Sequence, residues 1–303
     1  MAVDKRRDRG PSMVWRAWRR GGLRRMAVVG AVLTAMALVA RAQQPAGKPE
    51  LLKGHTHSVS SAGFTLNGKI VVTGSFDNTL KLWDTATGRE LRTLAGHQGQ
   101  VLTLDVSRDG SNIVSGSRDN TLKLWDMVRP EPISVLAGHK DEVQGVALNA
   151  DGSLLLTASL DKSAIVWQRV DGKQLLTLAG HTAPLARAAF RKDNLQLATA
   201  DASGAVRLWQ ATDGAAQGEV NSPGGAVGAL AYHPNNQLLL TASADGTLRV
   251  WQLVPAPRFT AELADVAAAV AISNDGKLVV TGSADASVKL FDGAAKLTRA
   301  LEG

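Results

Sequence analysis

Serine, histidine and aspartate recur together in this chain at fixed spacing, and that trio is the first chemistry to weigh. His55, Ser75 and Asp77 are followed by Trp83. His97, Ser117 and Asp119 are followed by Trp125, and His139, Ser159 and Asp161 by Trp167. A hydroxyl, an imidazole and a carboxylate within reach of one another could activate a nucleophile. Three successive copies argue against that use, because a catalytic constellation is singular whereas a structural one repeats with its scaffold. No added oxyanion motif accompanies any copy. The chain is therefore read as non-enzymatic, with no catalytic residue.

Other reactive groupings are sparse. His55 and His57 make a His-x-His pair of the kind that binds zinc or copper, but no third ligand stands near and His55 already belongs to a repeated set, so no metal site is assigned. His233-Pro234 reads as a surface turn. The absence of cysteine excludes disulfides, thiolate metal sites, a cysteine nucleophile and a covalently attached c-type haem. No glycine-rich phosphate loop leads from a strand into a helix, so no nucleotide or other cofactor is expected.

The elements that carry these residues are set by the spacing. Each histidine precedes its tryptophan by 28 residues, and His181 stands in the same relation to Trp209. Trp251 and then Phe291 continue the series, at intervals of 42, 42, 42, 42 and 40 residues. Within a unit, Leu80 and Leu82 alternate with Lys81, as Leu122 and Leu124 do with Lys123. That period of two marks strands with two differently solvated faces. Asn67-Gly68, Asp109-Gly110, Asp151-Gly152 and Asp275-Gly276 supply residues that tolerate positive φ at a tight hairpin, and Asp193-Asn194 and Asn235-Asn236 occupy the matching turns.

A repeat of this length, opening on Gly-His and closing on Trp-Asp, marks a four-stranded blade. On these motifs residues 51–303 resemble the WD-repeat β-propeller family. The fold expected is all-β, a β-propeller of four-stranded antiparallel blades, with six blades visible and a seventh in a longer product. The resemblance also implies a role for the repeated residues: histidine bonded to aspartate and serine, and that serine bonded to the indole N–H. Buried polar groups need such partners. The later units depart from the pattern. Blade four has Asp201 at the serine position and Ser203 at the aspartate position. Blade five has Ser243, Asp245 and Trp251, with Pro223 where histidine would fall. Blade six has Ser283 and Asp285, with Phe291 for tryptophan and Leu263 at the histidine position. Blades one to three are accordingly expected to be the stable half and four to six the first to open.

WD-repeat proteins often bind partners on the face that carries the Gly-His loops and the second turn of each blade. Carried over, those positions are Ser58, Ser60, Phe76, Gln100, Leu102, Arg118, Glu142, Gln144 and Leu160 in the first three blades. In the last three they include Pro184, Ala186, Ala202, Ala226, Gly228, Ala244 and Ala284. Partner-binding candidates are Phe76, Gln100, Arg118, Glu142, Gln144 and Leu160, since binding hot spots favour large anchors and arginine over alanine. A protein partner over blades one to three is the expectation.

Charge and the N-terminus complete the reading. The net charge of +7 would suggest nucleic acid or a membrane surface. Residues 1–42, however, hold 10 of the 34 basic residues and only 2 of the 27 acidic ones, which leaves 24 basic and 25 acidic residues beyond them. The repeat array is near neutral, and no nucleic-acid partner is expected. The arginine-rich head, the apolar run 26–40 and the small-x-small exit Ala40-Arg41-Ala42 describe a secretory signal peptide over 1–42. Fifteen helical residues reach about 22 Å, short of a hydrocarbon core of roughly 30 Å. Export with cleavage near Ala42, to the periplasm or the exterior, is favoured over an anchor at residues 26–40, the only route to a membrane. Residues 43–50 read as a linker and 51–303 as the propeller. Leu51-Leu52-Lys53-Gly54 looks like a surplus outer strand, and Lys296–Gly303 is itself an outer strand, so the chain is read as a fragment of a longer product. The function expected is a non-catalytic scaffold for protein–protein contact. The alternatives are a sensor or regulatory module of a larger polypeptide and a secreted propeller hydrolase.

Overall fold

Short alternating runs broken by Gly and Asn turns give strands, and the computed structural model has 24 of them. It describes residues 51–253, 256–262, 267–273, 275–284, 287–292 and 296–301. The signal peptide and linker readings (residues 1–50) and the positions of Leu263 and Asp285 lie outside the described residues. Among the described residues no helix is long and apolar enough to cross a membrane.

Blade one comprises β1 (Val59–Phe64), β2 (Ile70–Ser75), β3 (Thr79–Asp84) and β4 (Glu90–Ala95); blade two, β5 (Val101–Val106), β6 (Asn112–Ser117), β7 (Thr121–Asp126) and β8 (Ser134–Ala137). Blade three comprises β9 (Val143–Leu148), β10 (Leu154–Ser159), β11 (Ala164–Gln168) and β12 (Gln174–Leu178); blade four, β13 (Leu185–Phe190), β14 (Gln196–Asp201), β15 (Ala205–Gln210) and β16 (Ala216–Asn221). Blade five comprises β17 (Val227–Tyr232), β18 (Leu238–Ser243), β19 (Thr247–Gln252) and β20 (Ala256–Glu262); blade six, β21 (Ala267–Ile272), β22 (Leu278–Ser283), β23 (Val288–Asp292) and β24 (Leu297–Leu301). Each blade is a separate four-stranded antiparallel sheet in consecutive order. The fold is a six-bladed all-β propeller. Leu51–Gly54 forms no strand, and Leu51 is 75 % exposed.

The first hairpin of every blade turns on a left-handed residue at the position read from sequence: Gly68, Gly110, Gly152, Asn194, Asn236 and Gly276, with φ between 60° and 71°. Consecutive ordering then fixes two faces. The first and third turns of a blade lie on one face. The second turn and the Gly-His link into the next blade lie on the other, which is the face of interest here.

No sheet buries its apolar face alone; neighbours do it for one another. Val72, Leu80, Leu82 and Leu94 of blade one pack with Val101, Ile113 and Trp125 of blade two. The same arrangement places Trp167 against blade two, Trp209 against blade three, Trp251 against blade four and Phe291 against blade five. Trp125, Trp167, Trp209 and Trp251 are thus inter-blade wedges, and burying such a side chain contributes about 1.5–3 kcal/mol.

The innermost strands matter most for function. Along them, one set of alternate residues, such as Leu104 and Val106, packs into these clusters. The other set faces the next blade's inner strand, where space is short: a Cβ at Gly63 would lie 3.1 Å from Val106. Every blade also carries one extra residue near the start of its inner strand, where the pairing shifts register. These bulges fall at Ser60, Leu102, Gln144, Ala186, Gly228 and Ala268, and a bulge releases its residue from the ladder.

Candidate functional site

The repeated polar sets are continuous hydrogen-bonded chains. In blade two, His97 Nδ1 lies 2.8 Å from Asp119 Oδ2 and His97 Nε2 lies 2.7 Å from Ser115 Oγ, which in turn accepts the Trp125 indole N–H at 2.8 Å. Blade one uses Asp77, His55, Thr73 and Trp83 at 2.7, 2.7 and 2.8 Å. Blade three uses Asp161, His139, Thr157 and Trp167 at 2.8, 2.7 and 3.1 Å. Every group is satisfied if the indole donates to the hydroxyl, the hydroxyl donates to Nε2, and Nδ1–H donates to the carboxylate. The glycine before each histidine lets the loop close over the indole: a Cβ at Gly138 would sit 2.7 Å from Trp167.

This corrects the serine assignment. Ser75, Ser117 and Ser159 do not meet the indole. Their hydroxyls donate to the carbonyls of His57, Gly99 and Asp141 and accept the N–H of Asp77, Asp119 and Asp161. The reason is distance along the strand, since both positions lie on one face. A residue eight before the tryptophan lies at the strand end, whereas the residue ten before it (Thr73, Ser115, Thr157) sits inside the middle strand, beside the ring.

Blade four is also corrected. Asp201, two positions earlier than its counterparts, still takes His181 Nδ1 at 2.7 Å, and Thr199 links His181 to Trp209 at 2.7 and 2.8 Å. Ser203 donates to Asp201 instead of replacing it. The exchange preserves the set. In blade five the Trp251 indole bonds Thr241 at 2.9 Å, and Arg249 supplies the cationic partner of Asp245 at 2.6 Å. Ser222, bonded to Ser243 at 2.7 Å, fills the space of the missing imidazole. Blade six has Phe291 and no indole, and Thr281 Oγ1 and Ser283 Oγ are buried without a partner among the described residues.

Ser115, His97 and Asp119 have the distances of a hydrolytic triad. Ser115, however, is fully buried, and its oxygen is occupied by the indole. No substrate carbonyl can reach it, and blades one, three and four repeat the arrangement with threonine.

Burial and bonding set the charge states. Burial pushes the pKa values of His97, His139 and His181 below the ordinary imidazole value, against the opposing pull of Asp119, Asp161 and Asp201. Burial alone would raise the carboxylates, but hydrogen bonds from Thr79, His55 and two backbone amides hold Asp77 at about 2. Ser163, Lys140 and His139 do the same for Asp161, also at about 2, and His97 and Thr121 keep Asp119 well below the usual range. One inner-strand carboxylate behaves oppositely. Burial lifts Asp105 to about 6, although it accepts the N–H of Leu148 at 2.7 Å and of Val106 at 2.8 Å.

The residues named as partner-binding candidates gather on the Gly-His face. The backbone N–H of each second-turn residue bonds the carbonyl at the start of its own inner strand: Phe76 to Ser58, Arg118 to Gln100, Leu160 to Glu142, Ala202 to Pro184 and Ala244 to Ala226. A regular rim results. On it, Arg118 Nε donates to Glu142 at 2.8 Å and Nη1 to Gln100 at 3.2 Å, while Gln144 donates to Glu142 at 3.0 Å. Gln100, Arg118, Glu142 and Gln144 therefore form one chain across blades two and three. Phe76 and Leu160, both half-buried, flank it on either side. Across the axis, Ala202 and Ala244 are exposed and offer only methyl groups. His57 is exposed and apart from His55, and among the described residues no cluster of three or more metal-ligating side chains occurs. On the opposite face, a shallow cleft of about 290 Å³ lies between the hairpins of Leu66, Arg108, Asp151 and Arg169.

One residue on this face was not singled out by its sequence. Arg187 of β13 stands where other blades have Ser61, Thr103, Gly145, Ala229 and Ala269. Its guanidinium donates to the carbonyls of Gly228 at 2.8 Å, Ala186 at 2.7 Å and Gln144 at 3.4 Å. A long cation at a position otherwise held by small residues was the available signal.

A family model described as the IFT122 first beta-propeller matches residues 58–302. Among curated proteins, the chain is 53 % identical over 45 residues to a probable E3 ubiquitin ligase complex SCF subunit sconB of Aspergillus terreus, covering 15 % of this chain and 6 % of that protein. It is 44 % identical over 45 residues to the dynein assembly factor with WD repeat domains 1 of Homo sapiens, covering 15 % of this chain and 11 % of that protein. These relatives share about one repeat's length, so the chain spans only a small part of them. Blade geometry, the repeated polar sets and the match along nearly the whole described region agree: the chain belongs to the WD-repeat propeller family represented by the IFT122 first beta-propeller.

Proposed function

We propose that this protein is a non-catalytic interaction platform that docks a protein partner on the Gly-His face over blades one to three. The observation that carries the reading is the asymmetry of the rim. Its one half bears the linked chain Gln100–Arg118–Glu142–Gln144 between two apolar side chains, and its other half bears alanines. Arg118 is held by Glu142 yet remains about half exposed, so it is pre-oriented and still accessible. Pre-organisation lowers the entropy cost of binding. Phe76 and Leu160 supply apolar area at either end, giving a polar centre with flanking anchors. The relatives' names refer to multi-subunit assemblies, which agrees with this use. In each Ser/Thr–His–Asp set the hydroxyl is buried against the indole, which argues against hydrolysis there.

The test is a pull-down from the native source with wild-type chain and with Phe76→Ala, Arg118→Ala and Leu160→Ala combined. The combined variant is expected to fold and to lose the captured partner, because truncating two or three anchors costs several kcal/mol of affinity. Equal capture by both would overturn the reading.

A further inference from the structure

We propose that Arg187 is the centre of a carboxylate-binding site at the axis of the Gly-His face, and that it takes an acidic side chain of the docked partner. The second half of this assignment rests on the docking reading above; the site itself does not.

The three carbonyls that Arg187 meets have a common origin. Gln144, Ala186 and Gly228 are the bulge residues of blades three, four and five, so their carbonyls are released from the sheet ladder near the axis. Nε–H is used by Gly228, and both Nη1 hydrogens by Ala186 and Gln144. These bonds fix the plane of the guanidinium. They leave both N–H groups of Nη2 without an acceptor among the described residues.

The charge is uncompensated. No carboxylate lies within ion-pair distance of Arg187 among the described residues, although the other two arginines of the Gly-His side named above each have one. Arg118 has Glu142 and Arg249 has Asp245. Three neutral carbonyls satisfy hydrogen bonds but do not neutralise a half-buried cation, and a charge partly withdrawn from water without a counter-charge is costly. Removal from solvent alone depresses its pKa, with no compensating anion.

The surroundings fit an incoming side chain. The rim over blades four and five consists of Pro184, Ala186, Ala202, Ala226, Gly228 and Ala244, which leave room that the long side chains of blades two and three do not. One terminal nitrogen, Nη2, with two free N–H groups suits a monoanion, and no second cation is bonded beside it to balance a phosphate dianion. Gln144 joins this site to the docking chain. Its side chain bonds Glu142 and its carbonyl bonds Arg187. A partner seated on blades two and three could therefore place an acidic residue at the axis without bridging a gap.

The experiment uses the full chain and an acetylated, amidated tetraglutamate peptide, with tetraglutamine as the neutral control and inorganic phosphate as the competing anion. In wild type, the Arg187 side-chain N–H resonance is expected to shift on adding tetraglutamate and to stay in place with tetraglutamine. Arg187→Gln, shown to be folded by its thermal transition, is expected to bind tetraglutamate at least about tenfold more weakly. Arg118→Gln is expected to lose less. No shift of the Arg187 resonance, equal affinity in wild type and Arg187→Gln, or a response to phosphate with none to the peptide would each overturn the proposal. Partner capture by the Phe76, Arg118 and Leu160 variant tests the docking face separately, so either idea can fail alone.

Discussion

At the residue scale, the hydroxyl ten positions before each tryptophan decides the account. Ser115 serves two buried groups at once, the Trp125 indole N–H and His97 Nε2. Ser115→Ala should cost about 2–4 kcal/mol, since each orphaned buried group costs about 1–3 kcal/mol. Ser115→Thr should be nearly neutral, because blades one, three, four and five already use threonine there. Ser117→Ala should leave the Trp125 indole N–H resonance in place, while Ser115→Ala moves it. The opposite pattern in chemical denaturation and NMR would restore the assignment first drawn from sequence. That assignment counted Ser75, Ser117 and Ser159 because serine recurs visibly. The true partner alternates between Thr and Ser inside a strand that looks apolar, so its periodicity is easily passed over. Thr73, Ser115, Thr157, Thr199, Thr241 and Thr281 do keep it without a break.

Charge states at the same scale give a pH prediction with a definite sign. His97, His139 and His181 have folded pKa values below the ordinary one, so below about pH 6.5 the unfolded chain takes up protons that the folded chain refuses. Their contribution is present above that pH and is lost as pH falls. Asp105 has the opposite sense. Its folded value of about 6 lies above the ordinary carboxylate value, so its stabilising neutral form is lost as pH rises toward and past 6. The two effects oppose each other between about pH 4 and 6.5. Asp105→Asn should therefore steepen the fall in Tm on acidification through that window. Parallel Tm–pH curves for variant and wild type would contradict the placement of Asp105.

At the scale of the element, the unit of stability is the blade with its polar set. Sequence order alone separated blades one to three from four to six, because Asp201 and Ser203 appeared exchanged. Geometry moves the boundary by one blade: Asp201 reaches His181 from a position two residues earlier, and the set in blade four is complete. Blade five substitutes Arg249 and Ser222, and blade six leaves Thr281 and Ser283 hydroxyls unsatisfied among the described residues. Hydrogen exchange should accordingly find β15 of blade four as protected as β3, β7 and β11, with β19 weaker and β23 opening first. Exchange in blade four as fast as in blade six would refute this ordering. The first hairpin turns, by contrast, were legible in full. Positive φ at Asn194 and Asn236 in place of glycine follows directly from the residue types that tolerate it.

For the whole molecule, the period of 42 residues carries the architecture, and six complete blades follow from it. What the period hides is anything that occurs once. Arg187 interrupts a row of small inner-strand residues, and Asp105 does the same where other blades have Gly63, Ala147 and Ala189. Both look like strand interior in a linear reading. Only the bulges and the approach of neighbouring inner strands show that Arg187 reaches three blades. The rim was half legible: its residues could be named by position, but their joining into one chain through Glu142 could not, since Arg118 and Glu142 are 24 residues apart and on different blades.

The central claim, that function resides on the Gly-His face over blades one to three, is tested most directly by quantitative partner capture with two variants of equal stability. One combines Phe76→Ala, Arg118→Ala and Leu160→Ala. The other changes Leu66→Ser and Arg108→Ser on the hairpin face, where an exposed leucine and an arginine line the shallow cleft. The account predicts that the first loses at least about 90 % of the captured partner and the second retains it, the former corresponding to roughly 1.4 kcal/mol or more of binding free energy. Retention by the first variant and loss by the second would place function on the opposite face and contradict the account.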